Sequence, residues 1–113
     1  MNGQIDVVIP EHFRLEVSNA IRNSLRSRRL TLERAATAFE TVLRIPAQSV
    51  PLVDLLEPGF EAALLYDCAL YDALYLALAE QLDCPFVHAD RRLHNTLAGR
   101  FPHELWVEDY AAQ

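Results

Sequence analysis

The chain has 113 residues, 51% hydrophobic and 23% charged, enough for one globular domain and too few for two. Its 3 Gly and 6 Pro are scattered among abundant Leu, Ala and Val, which excludes low-complexity disorder, and no apolar run reaches the roughly 18 residues of a membrane span. The net charge of −6 argues on average against a nucleic-acid partner, but up to Arg44 seven arginines face five acids, and beyond it three face eleven. All ten basic residues are Arg, whose fork grips phosphate or carboxylate at two points. The first half therefore suits RNA or an acidic protein, or is an ordinary solvated helix face. Cys68 and Cys84 are too few and too isolated for a disulfide framework or a zinc site. The first residues lack the basic and apolar regions of a signal peptide, so the expectation is a soluble, cytoplasmic protein with no membrane partner.

Ile5-Asp6-Val7-Val8-Ile9 is a β-branched run stopped by Pro10, the pattern of a buried strand. Phe13, Val17, Ala20, Ile21 and Ser24 then recur at helical spacing, which predicts an amphipathic helix over 11–27. Thr31 is placed to cap a second helix that Pro46 ends. A short strand is expected over 49–53, interrupted by Pro51, and a helix over 57–66 with Pro58 in its first turn. From Tyr71 to Leu82 the sequence is apolar nearly all round until Glu80, which marks a helix at the centre of the domain. A buried strand over 85–88, a helix over 90–97 and a last strand over 104–107 complete the pattern. Strands alternating with helices imply a three-layer α/β/α domain with a parallel sheet. A doubly wound domain usually has its earliest strand in the middle of the sheet, so a first central strand is expected to be missing from this single domain over 1–113.

In such sheets the site lies beyond the carboxyl ends of the strands. Three carboxylates reach that edge: Glu16 in the second turn of the first helix, Asp72 at the start of the central helix, and Asp90 directly after the strand over 85–88. They are hard oxygen ligands suited to Mg²⁺ or Mn²⁺, and an ion held this way activates water against a phosphodiester. Each has a plainer reading. Asp90 before Arg91-Arg92-Leu93 is an N-cap, Asp72 gains from the helix dipole, and Glu16, in a stripe with Asn19 and Asn23, is a solvated face. Asp72, however, is the only charge between Cys68 and Ala79, and a buried carboxylate there is costly without a cation. His12, His88, His94 and His103 show no metal-ligand spacing; His88, ending a strand beside Asp90, suits a core or supporting role. Tyr66, Tyr71 and Tyr75 fit the core or an interface better than base stacking, and Asp67 only ends a helix.

The segment from Pro10 to Ile21 with its Glu16-Val17-Ser18-Asn19-Ala20, then Tyr71-Asp72-Ala73-Leu74-Tyr75-Leu76-Ala77-Leu78-Ala79, then Val87-His88-Ala89-Asp90-Arg91-Arg92-Leu93 resemble in order and spacing the PIN-domain family, VapC-like toxins above all. The resemblance covers essentially the whole chain, and Tyr-Asp-Ala-Leu-Tyr is its most specific block. It implies a Mg²⁺- or Mn²⁺-dependent endoribonuclease, usually a homodimer, held inactive by a small antitoxin. It carries the family's helix glutamate onto Glu16, its central-helix aspartate onto Asp72 and its post-strand aspartate onto Asp90. Asn19, His88, Arg91 and Arg92 stand beside these as RNA-contacting or supporting residues. Two departures stand out: the aspartate that closes the family's first strand has no counterpart, since Asp6 precedes its apolar run, and His88 stands where Thr or Ser is common. Either the chain is a ribonuclease that begins upstream of this Met1, or it is a degenerate domain that binds an antitoxin or pairs with another chain.

Overall fold

In this computed structural model the described residues are 7–111. Ile5 and Asp6, which open the expected first strand, lie outside them. The chain divides into two compact units, Met1–Val50 and Pro51–Gln113.

In the first unit, β1 (Val8–Pro10) pairs in parallel with β2 (Gln48–Val50), Val8 opposite Gln48. Pro10 is the last residue of β1 rather than its stop. The ladder needs no N–H from it, because the amides of Gln48 and Glu11 carry the bonds to Val7 O and Val50 O, each 2.9 Å. Two helices make the crossover that parallel pairing requires: α1 (Phe13–Arg26) and α2 (Leu32–Arg44). Thr31 caps α2 as expected, its hydroxyl accepting the Arg34 amide at 3.2 Å. At the other end of α2, Arg14 donates from Nε to Val42 O (3.2 Å) and from Nη2 to Ile45 O (2.6 Å). A cation thereby meets carbonyls that the helix leaves unpaired.

The expected strand over 49–53 stops at Val50. Pro51 is instead the N-cap of α3 (Leu52–Tyr66), so Val53 is helical and Pro58 lies inside the helix rather than in its first turn. Pro58 deletes the bond to the Asp54 carbonyl, yet the helix persists because Leu55, Gly59, Ala62 and Tyr66, spaced four, three and four apart, form one buried face. Gly59 lets α4 (Leu70–Leu82) come close: a Cβ on it would lie 2.7 Å from Leu74 Cδ2, and that side chain would have to shift. The two helix axes turn by 108° where they meet. Asp67 ends α3 in the left-handed region, as a helix-ending residue does.

Helix α4 is the predicted central one, with Ala73, Leu74, Leu76, Ala77, Leu78 and Ala79 buried. Its Ala73, Leu76 and Ala79 join Ala62, Tyr66, Leu93, Leu97 and Phe101 in one core. β3 (Phe86–His88) runs parallel to β4 (Glu104–Trp106), connected through α5 (Arg91–Leu97). β3 was expected to be buried, but Val87 is 51% exposed, so only its Phe86 and His88 face points inward. The last strand ends one residue early, and Val107 begins a short helix, α6 (Val107–Ala111). The architecture is α/β with parallel strands, held in a two-stranded sheet in each unit. No single helix among the described residues is long and apolar enough to cross a membrane.

Candidate functional site

Asp90 leaves the carboxyl end of β3 and caps α5, its Oδ1 accepting the Leu93 amide at 3.2 Å. The capping reading is therefore correct. It does not compete with ion binding, since a carboxylate has two oxygens and about four acceptor positions. Asp90 is otherwise exposed. Asp72 lies in the first turn of α4, half-buried between exposed Tyr71 and buried Ala73. Its charge is felt at Cys68: burial raises the thiol pKa first, Asp72 and then Asp67 raise it further, and Arg100 opposes them.

At pH 8 Cys68 is accordingly expected to alkylate more slowly than exposed Cys84. Asp72→Asn should speed Cys68 relative to the parent chain by removing part of the opposing field. Peptide mapping after timed iodoacetamide treatment checks this; an unchanged Cys68 rate in the variant would separate Asp72 from the thiol.

Glu16 is in the first unit. Because α1 starts at Phe13 rather than Glu11, Glu16 falls in the first helical turn, not the second. Its side chain is 42% exposed and stands 3.7 Å from the buried His12 Nε2. Asn19, one turn on, is exposed. Of the two arginines, Arg91 is engaged, with Nη2 3.1 Å from Glu108 Oε1 and its guanidinium over the Trp106 ring at 5.4 Å. Arg92 is exposed. Tyr66 is core, edge-on to Phe101, its phenol pKa raised by burial first and then by Glu80. Tyr75 stacks on Phe86, whereas Tyr71 is exposed.

His88 has more partners than its sequence position suggests. Its Nδ1 accepts the Asp90 amide at 3.2 Å, which puts the ring proton on Nε2, and Nε2 donates to Glu104 Oε2 at 2.7 Å. His94 Nδ1 reaches the same oxygen at 2.8 Å. Parallel pairing sets His88 opposite Trp106 and so brings Glu104, two residues before it, onto the same face. Trp106 lies flat against His94, 4.3 Å between centroids and 11° between planes. Sequence reasoning missed His94 and Glu104. The one signal present was the alternation of Phe86 with His88 and of Glu104 with Trp106, two inward-facing pairs on strands of matching length.

The PIN domain family matches residues 1–97. The chain is 32% identical over 94 residues to the VapC ribonuclease Mb0985 of Mycobacterium bovis, a match covering 83% of this chain and 72% of that protein. The same identity and coverage hold for the ribonuclease VapC9 of Mycobacterium tuberculosis, in its CDC 1551 and H37Rv strains.

Proposed function

Because the chain belongs to the PIN-domain family and is VapC-like, we propose that it is a divalent-ion-dependent endoribonuclease, the toxin of a toxin–antitoxin pair. The observation that carries the reading is the likeness itself. It spans a stretch containing Glu16, Asp72 and Asp90, and the curated proteins it matches carry ribonuclease names. The donor set fits Mg²⁺ or Mn²⁺: Asp72 and Asp90 are oxygen donors, the first half-buried at a helix start and the second exposed at a strand end with an oxygen left over from its cap. Such an ion lowers the pKa of a bound water and stabilises negative charge on phosphorus when bound. In this reading Asp90 and Asp72 would hold the ion, and the sequence likeness gives Glu16 the part of the family's helix glutamate. The cap on Leu93 holds Asp90 in place, and His88, bonded to the Asp90 amide, stiffens the backbone there. Exposed Arg92 attracts the phosphate backbone. The likeness also supports a small antitoxin as partner and pairing of two copies.

Purified chain incubated with structured and single-stranded RNA in Mn²⁺ or Mg²⁺ is expected to cleave it, to stop on addition of EDTA and to resume when the cation is restored. Cleavage that persists in EDTA, or none with either cation, defeats the proposal.

A further inference from the structure

We propose that His88, His94 and Glu104 form a second cation site, selective for a borderline divalent transition ion of the Zn²⁺ class and distinct from the carboxylates above. It is the one group of three such donors found together among the described residues; one ligand atom from each lies within 4.8 Å of the others. Two imidazole nitrogens stand 2.7 and 2.8 Å from a single carboxylate oxygen. Ligands of a tetrahedral ion on bonds of about 2.0–2.1 Å stand roughly 3.3 Å apart, so an ion enters by a small outward movement of each donor.

The donors are held before any ion arrives. Phe86 stacks on His88 at 4.9 Å and 6°, Trp106 stacks on His94, and the paired strands carry both His88 and Glu104. His88 and Glu104 side chains are each 7% exposed, which keeps water away from two ligands, while His94 at 32% leaves an entrance and a fourth position for water. Two histidines and one carboxylate with an open position is a donor set that zinc takes, whereas Mg²⁺ prefers oxygen ligands. Binding through His88 Nε2 moves its ring proton to Nδ1 and withdraws the acceptor now used by the Asp90 amide. The filled site would thus alter the backbone that presents Asp90.

The test is titration of purified full-length chain with ZnCl₂ against a coloured chelator, with Co²⁺ as a spectroscopic substitute. One Zn²⁺ per chain is expected. His94→Asn, whose amide nitrogen replaces Nδ1 as a donor to Glu104, and Glu104→Gln should each weaken it about tenfold or more, with circular dichroism unchanged. Asp72→Asn should leave it unchanged. Absence of stoichiometric Zn²⁺, an affinity equal to the parent chain's in both cluster variants, or loss of Zn²⁺ in Asp72→Asn overturns the assignment. Should Glu104→Gln fail to fold, partly exposed His94 decides the matter alone. RNA cleavage is not a readout, so failure here and failure of the ribonuclease reading are separable.

Discussion

Asp90→Asn is expected to cut divalent-ion-dependent RNA cleavage by on the order of 100-fold or more while leaving the melting temperature nearly unchanged. The two halves of that expectation come from different atoms of one side chain. Asparagine caps a helix about as well as aspartate, so its Oδ1 keeps the bond to the Leu93 amide and α5 keeps its first turn. What disappears is the negative charge that an ion requires. Asp72→Asn should give the same loss, since a neutral amide in the first turn of α4 leaves the helix intact but offers the ion only a weak dipole. Cleavage assays beside thermal melts of both variants check it. Unchanged cleavage in both would mean that the ion sits elsewhere, and a melt lowered in step with activity would mean that the aspartates serve the fold.

The second large effect is expected at Leu76, fully buried on α4 amid the core of the Pro51–Gln113 unit. Leu76→Ala removes three methylene-sized groups from a site enclosed by other core side chains, and the loss combines transfer from the core with a residual cavity. The expected cost is about 3 kcal/mol. That corresponds to a fall in melting temperature of roughly 10–20 °C for a chain of this size. Thermal and urea denaturation with an unchanged urea slope would support it; a fall of only about 2 °C would mean that α4 repacks around the gap.

Features set by neighbouring residues were legible in the sequence. Thr31, Asp90 and the apolar run of α4 each announce themselves within one or two turns, and each stands in the structure where the pattern puts it. The errors came where a distant partner overrules the local signal. Pro58 reads as a helix start, but the face from Leu55 to Tyr66, with Gly59 against Leu74, carries α3 through it. Pro10, by contrast, reads as a strand end and is one, since β1 stops there. The grouping of His88 with His94 and Glu104 was out of reach for the same reason as Pro58. Glu104 is 16 residues from His88, and only the parallel register of β3 and β4 brings the two together. Glu16, Asp72 and Asp90 stand out by their places at helix starts and a strand end, and the likeness of three short blocks implies the family's roles for them.

The Arg14 clamp has a consequence for the order in which the first unit assembles. Its guanidinium serves carbonyls 28 and 31 residues along the chain, so the end of α2 depends on a side chain that arrives only once α1 has docked. Before that event the last carbonyls of α2 compete for water, and the turn leading into β2 lacks its anchor. The closing turn of α2 is therefore tied to the docking of α1 and not to its own helix alone. Lysine could not take over the task, because one ammonium cannot present the planar, two-pronged geometry that spans both oxygens.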